Sequence, residues 1–354
     1  MSKNPHKGRG AVSRVSHRFE KTSTVLSEEE LAAAVPSPQT QLRSLRSASI
    51  ISHNQSPDVP FDRSINPYQG CEHGCVYCYA RPSHAYYDLS PGLDFETQIL
   101  YKPDAASTLL EEWAKPRYRC QPITIGANTD PYQPAEKKLQ ITRKLLETFL
   151  AHRHPVSIIT KGVLMERDLD LLARLADRKL CSVAISVPTA NNALKRLLEP
   201  RVPAAAARFQ LMNALSERGV PVSLLLAPVI PAVNDMEIES IVARAGEAGA
   251  GSAAYILLRL PHEVRVVFSE WLQAHMPDRA EHVMSLVRQA SGGRDYDNRF
   301  GVRQTGRGPY ADMIRQRFGV ACRKQGLQTD RQSVTLDTGQ FEPPGSHQTG
   351  FNFG

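Results

Sequence analysis

Three cysteines fall within one eight-residue stretch, Cys71-Glu72-His73-Gly74-Cys75-Val76-Tyr77-Cys78, after the extended segment Ser64-Ile65-Asn66-Pro67-Tyr68-Gln69-Gly70. Three thiolates on a short loop can hold three irons of a cubane iron–sulfur cluster, whereas a complete cluster normally takes four cysteine ligands. An iron left without a protein ligand is open to a substrate or cofactor, which turns an electron-storage site into a reaction site. The alternative is structural zinc, which takes four Cys/His ligands, usually as two separated pairs. Here His73 is the fourth candidate. It lies inside the same loop, where tetrahedral closure is strained, so ligand count and spacing favour the open cluster. Gly70 and Gly74 let the backbone bend around a bulky group.

Cys71-x3-Cys75-x2-Cys78, with the aromatic Tyr77 before the last cysteine, resembles the signature of the radical S-adenosylmethionine superfamily. In that family three cysteines bind a [4Fe-4S] cluster and S-adenosylmethionine chelates the fourth iron. One electron then cleaves the sulfonium, releasing a 5′-deoxyadenosyl radical that abstracts hydrogen from a substrate. The words Asn66-Pro67-Tyr68-Gln69-Gly70-Cys71, Asn128-Thr129-Asp130-Pro131-Tyr132-Gln133-Pro134 and Pro228-Val229-Ile230-Pro231-Ala232-Val233-Asn234-Asp235 resemble the branch related to spore photoproduct lyase, often labelled DNA repair photolyase-like. The likeness runs from about residue 64 to about residue 274. It indicates the branch and not the substrate.

The resemblance implies roles for particular residues. Cys71, Cys75 and Cys78 are the implied cluster ligands, and Tyr77 the aromatic that lies along the adenine, its other role being packing. Thr129 and Asp130 stand where many members carry the group that holds the methionyl amine; Asp130 also suits an Asx turn with Pro131. Lys161 and Ser186 fall where the branch reaches the cofactor's carboxylate or ribose, and Ile230 lies in its adenine-binding stretch. Asn234 and Asp235 are read as caps of the next helix, and Tyr132, Tyr310 and Arg259 as candidates to line a substrate cavity. Spore photoproduct lyases place a hydrogen-donating cysteine where this chain has Ala127, while Cys120 belongs to the opposite end of the strand. Thymine-dimer repair by that route is therefore not implied. An electron donor such as flavodoxin or ferredoxin is.

These residues need a frame. Apolar runs at residues 123–126, 156–160, 182–187, 222–226 and 254–258 alternate with segments repeating apolar residues at three and four, such as Leu139, Leu145, Leu146 and Phe149, then Leu164, Leu169, Leu171, Leu172 and Leu175. Continuous apolar runs suit strands buried on both faces of a parallel sheet, and the segments between them suit amphipathic helices. With the strand before Cys71 this makes six β/α units. Periodicity does not distinguish a barrel from an open doubly wound sheet; the resemblance specifies an α/β fold with a partial (β/α)6 TIM-like barrel. In either, ligands gather at the carboxyl ends of the strands. Cys71, Asn128-Thr129-Asp130, Lys161, Ser186, Pro228 and Arg259 each follow a strand in turn.

The organisation read from composition is a largely disordered or loosely draped extension over residues 1–60, a core barrel over 61–275, an Arg-rich helical extension over 276–328 and a flexible tail over 329–354. Within these, Ser27-Glu28-Glu29-Glu30 before Leu31 reads as a short helix start, and Phe341, Phe351 and Phe353 as residues able to dock. Of 354 residues 41% are hydrophobic and 22% charged, ordinary for a soluble globular protein. Six cysteines in such a length make no disulfide scaffold; Cys181 reads as a small buried hydrophobe, and Cys120, Cys181 and Cys322 are too scattered for a second cluster. The basic N-terminus lacks an apolar core of a signal peptide, and residues 220–233, the longest apolar stretch, are broken by prolines and too short to span a membrane. Cluster thiolates imply the reducing cytoplasm. The net charge of +7 is concentrated: residues 288–331 hold nine arginines and one lysine against four aspartates. Such a stretch can track nucleic-acid phosphates or simply pair with carboxylates elsewhere. The alternative function is accordingly a nucleic-acid-binding protein with a structural metal site.

Overall fold

The computed structural model describes residues 6–20, 39–330 and 334–345. In chain order the strands are β1 Gln41–Ser44, β2 Ile51–His53, β3 Arg63–Ile65, β4 Tyr68–Gln69, β5 Gln98–Tyr101, β6 Ile123–Ile125, β7 Val156–Thr160, β8 Cys181–Ser186, β9 Val222–Val229 and β10 Ser252–Leu257. Seven form one sheet in the order β10-β9-β8-β7-β6-β3-β2. All neighbours from β3 to β10 run parallel, and β2 is added antiparallel at the edge. Six parallel strands connected through helices make the partial barrel that the resemblance implied.

Strand burial shows how the barrel presents side chains. Along β7 Val156, Ile158 and Thr160 are buried while Ser157 and Ile159 are half-buried, and β8 and β9 alternate likewise. The fully buried set packs with Leu145, Leu146, Leu172 and Leu211 of the surrounding helices. By the two-residue period of a strand the other set faces the lumen. Its members mix serine and alanine with Ile159 and Leu225, and hydroxyls meet across the strands: Thr124 with Ser157 and Ser223 with Ser252, each at 2.7 Å. The runs therefore read as uniformly apolar although their two faces differ. The same parity, carried one residue past β7 and to the end of β8, turns Lys161 and Ser186 inward.

The strand before the cysteines is shorter than its apolar flanks suggest, because the chain changes sheets at Asn66-Pro67. Proline has no N–H to continue the β3 ladder. The Asn66 side chain instead accepts from the N–H of Asn128 at 2.9 Å. Beyond it β4 joins a small sheet, β1-β5-β4, that sequence periodicity did not disclose.

The described part of the N-terminal extension is draped along the barrel and tied to it. Ala11, Val12 and Val15 are buried, Arg14 pairs with Asp94 at 2.7 Å and Arg18 with Glu263 at 3.0 Å. At the other end helix Pro309–Lys324 packs on helix Ile238–Glu247, and Gln328 hydrogen-bonds beside β10, covering part of its free edge. Phe341 docks edge-on against Trp113 and His154, with ring centres 5.5 and 5.0 Å apart. The helix start at Ser27, with Phe351 and Phe353, lies outside the described residues. Among the described residues no helix is long and apolar enough to cross a membrane.

Candidate active site

The cysteine loop is held by backbone geometry and one arginine. Gly70 and Gly74 adopt φ of +80° and +69°, and a Cβ on Gly74 would stand 2.8 Å from a Glu96 carboxylate oxygen. Both positions therefore require glycine. Arg81, wholly buried, donates to the Cys75 carbonyl from Nε (3.0 Å) and Nη2 (2.9 Å), to the carbonyls of Pro91 and Gly92, and to Glu96 at 2.5 Å. Gln133 accepts from the Glu72 N–H and donates to the Gly70 carbonyl. Arg81 and Gln133 thus hold the loop by its backbone carbonyls and the Glu72 N–H.

Cys71 and Cys75 are buried and Cys78 half-buried, all three as free thiols. Burial raises each thiol above its ordinary value, assisted at Cys71 by Asp130 and at Cys75 by Glu199. Bare thiolates are therefore disfavoured here, and a metal that deprotonates them supplies the missing charge. Among the described residues no three His, Cys, Asp or Glu side chains gather around a single-ion position. His73 is turned away, its Nδ1 3.3 Å from Asp130. Three thiols without a fourth donor suit a cluster, in which each sulfur meets a different iron, better than zinc, in which four ligands meet at one point.

The residues after β6 are absorbed by the scaffold. Thr129 is buried and its hydroxyl donates to the Tyr68 carbonyl at 2.6 Å. Asp130 accepts at Oδ1 from the Tyr132 N–H (2.9 Å) and Thr160 hydroxyl (2.6 Å), and at Oδ2 from the Lys161 N–H (2.7 Å). The first of these is the Asx turn. Burial opposes ionisation of Asp130, but His73, Thr160 and the Lys161 N–H hold its carboxyl below the usual range. Asp130 thus links the cysteine loop to the end of β7.

Lys161, Ser186 and Tyr77 come together around Glu199, which sequence reasoning did not single out. Lys161 Nζ donates to the Ser186 hydroxyl at 2.5 Å and stands 3.2 Å from Glu199 Oε1 and 5.6 Å from the centre of the Tyr77 ring. The Tyr77 hydroxyl donates to the same carboxylate oxygen. Arg208 closes the group, reaching Glu199 Oε2 at 3.0 Å and the Ser186 carbonyl at 2.7 Å. Glu199 and Arg208 are completely buried. Burial pushes the Glu199 carboxyl up, but Arg208 and then Lys161 and Tyr77 overcome it and hold it at about 2. Two cations on one carboxylate leave one positive charge in excess. Lys161 alone of the charged trio reaches solvent, which suits it to an anionic cofactor group.

Ile230 is buried, and its N–H donates to Asn234 Oδ1 at 2.6 Å. Asn234 Nδ2 donates to the carbonyls of Pro188 (2.8 Å) and Pro228 (3.0 Å). The capping expectation fails for both residues that carried it: Asn234 spends its side chain on these strand-end groups, and Asp235 accepts from Tyr310 at 2.7 Å. Tyr132 is buried and donates to Asp168 at 3.0 Å, so it belongs to the core and does not line a cavity. Tyr310, bonded to Asp235, braces helix Pro309–Lys324. Arg259 does stand on the rim, over Tyr79. In the basic stretch Arg288, Arg299, Arg303, Arg315 and Arg317 each pair with a carboxylate, so much of its charge is compensated locally.

Residues 65–245 match the Radical SAM superfamily. An uncharacterized protein of Mycobacterium tuberculosis is 32% identical over 287 residues, 79% of each chain. An uncharacterized protein of Methanocaldococcus jannaschii is 28% identical over 173 residues, 49% of this chain and 62% of the other. Among solved structures, spore photoproduct lyase complexed with dinucleoside spore photoproduct superposes with a TM-score of 0.59 at 13% identity, over 81% of this chain and 80% of that one. At that identity the likeness is one of fold.

Proposed function

This chain belongs to the radical SAM superfamily, a membership that implies an enzyme using a [4Fe-4S] cluster and S-adenosylmethionine, and we propose that Cys71, Cys75 and Cys78 hold that cluster. When bound, the cluster supplies the electron that cleaves S-adenosylmethionine to a 5′-deoxyadenosyl radical for hydrogen abstraction from the substrate. The observation that carries this reading is the loop itself: three thiols shaped by Gly70, Gly74 and Arg81, with His73 committed to Asp130.

The chain's own residues then have separable tasks. Lys161 and Ser186, facing the lumen, bind the cofactor's carboxylate or ribose. Tyr77 is fixed by Glu199 and presents its ring beside Lys161. Ile230, whose N–H is taken by Asn234, offers an apolar surface to the adenine. Asp130 and Thr129 hold the strand ends in register, with Asp130 acting through His73 and the Lys161 backbone. A flavodoxin- or ferredoxin-like protein is the fitting electron donor. Nucleic acid is retained as a substrate class on the strength of the basic C-terminal stretch, its local pairing notwithstanding.

The test is anaerobic reconstitution followed by assay of 5′-deoxyadenosine with a low-potential reductant. Formation of that product by protein holding about four irons per chain is the expected result. A fully loaded protein that makes none would refute the reading.

A further inference from the structure

Arg259 follows the last barrel strand by two residues and leans over the cysteine loop. Its guanidinium carbon stands 5.3 Å from the centre of the Tyr79 ring and 5.9 Å from that of Tyr296, and Nη2 donates to the Tyr296 hydroxyl at 3.2 Å. Tyr79 adjoins Cys78, and its hydroxyl donates to the carbonyl of Ala127 just beyond β6. The three side chains therefore form one platform on the rim that also carries Lys161 and Ser186. Tyr79 is 46% exposed, whereas Tyr77 of the same loop is buried.

Arg81 pairs with Glu96 and Arg201 with Glu72, while Lys161 and Arg208 share Glu199, so that each has a carboxylate beside it even though one charge of that trio stays in excess. Arg259 has no carboxylate within ion-pair distance among the described residues, and its Nε is a buried donor without an acceptor. A guanidinium carries five N–H donors in a planar fork that matches an oxyanion bidentately, and aromatic faces hold that plane without neutralising it. Among the described rim cations, Arg259 is thus arranged for an acid that the protein itself does not supply.

We propose that Arg259, framed by Tyr79 and Tyr296, binds an oxyanion of the substrate, phosphate or carboxylate, whose attached planar group lies on the exposed Tyr79 ring. This rests on the radical reading of the site and adds to it the charge and shape of the molecule acted upon. Binding is tested by fluorine NMR on the reconstituted protein with S-adenosylmethionine. The probes are 4-fluorophenyl phosphate, 4-fluorophenylacetate and uncharged 4-fluorobenzyl alcohol, with inorganic phosphate as competitor. At least one anionic probe is expected to bind, and Arg259→Met to weaken it tenfold or more while leaving the alcohol unchanged. The phosphate and carboxylate arms decide between the two sources of the anion. Absence of anion binding by the wild type, equal binding by Arg259→Met, or a parallel loss of S-adenosylmethionine in the variant overturns the proposal, the last by assigning the arginine to the cofactor. Iron content and 5′-deoxyadenosine formation in the wild type report on the radical reading separately. If they fail while anion binding still depends on Arg259, only that reading is lost.

Discussion

Glu199 Oε1 stands 3.2 Å from Lys161 Nζ across the closed end of a network in which the carboxylate is completely buried and the amine partly exposed. The asymmetry matters. Glu199 is already neutralised by Arg208 on its other oxygen, so Lys161 is positioned by the carboxylate without its charge being cancelled by it. The same oxygen anchors Tyr77, which ties the cysteine loop to the ends of β7 and β8. One residue outside the recognised motifs therefore sets three that lie within or beside them.

Glu199→Gln should destabilise the protein by about 3–5 kcal/mol, the usual cost of leaving buried charges without their partner. Chemical denaturation measures it. Pairing the change with Arg208→Met should recover part of the loss, because the orphaned cation is removed; a double variant as unstable as the sum of the two single variants would contradict the network.

The same carboxylate makes stability depend on pH with a definite sign. Its folded value of about 2 lies below the ordinary 4.5, so it contributes stability that is fully present above about pH 4.5 and lost as the pH falls toward 2. The amount is on the order of 3 kcal/mol. Unfolding curves collected from pH 6 to pH 3 should slope more steeply for the wild type than for Glu199→Gln; parallel curves would remove Glu199 from the acid transition.

Single Ala replacements of Cys71, Cys75 or Cys78 should reduce anaerobically reconstituted iron and sulfide to less than half the wild-type content, with the fold retained by circular dichroism. Cys181→Ala, a thiol inside the helix–sheet core, should leave the metal content unchanged. Wild-type iron in any of the first three would contradict the ligand assignment.

Much of the fold and part of the site can be read from residues. The three cysteines lie within one turn-rich loop, so sequence spacing is nearly spatial spacing, and β/α alternation dictates the strand order. Glu199 was not legible, since its contact with Tyr77 joins positions 122 residues apart and nothing local marks a glutamate as buried. Its one sequence signal is Glu199-Pro200 directly after helix Asn192–Leu198, where the helix must stop. Asn234 was misread for a related reason. An Asn before a helix has the right identity for a cap, and only the packed barrel shows carbonyls of Pro188 and Pro228 competing for it. The small lumen-facing serines and alanines hid their alternation because they sit among Val, Ile and Leu without lowering the local hydrophobicity much.

The N-terminal segment is expected to behave as a strap on the cysteine loop. Glu96, completely buried, accepts from the N–H groups of Gly10 (3.0 Å) and Ala11 (2.8 Å) as well as from Arg81. Gly10 lies so close to the loop that an added Cβ would fall 1.9 Å from the Gly74 carbonyl oxygen, a separation that forces backbone apart. Gly10→Ala should therefore release residues 9–15, seen as faster proteolysis within that segment and faster air bleaching of the reconstituted cluster. Protection equal to wild type would show that the strap does not depend on this contact.

Asn234 offers the sharpest separation of shape from hydrogen bonding. Its Oδ1 accepts from the Ile230 N–H while its Nδ2 donates to the carbonyls of Pro188 and Pro228, and its side chain is buried. Asn234→Ala removes all three bonds, at about 1–3 kcal/mol for each buried group left without a partner. Asn234→Asp keeps the size and the acceptor but turns both donated bonds into contacts between oxygens, so it should be no more stable than the alanine variant at neutral pH. Lowering the pH toward 4 should restore part of the loss for Asp by protonating it, and none for Ala. Thermal unfolding of the two variants across that range checks the prediction. An aspartate variant matching the wild type at pH 7 would mean that the two carbonyls are satisfied by other donors, and that the Ile230 turn does not rely on the amide.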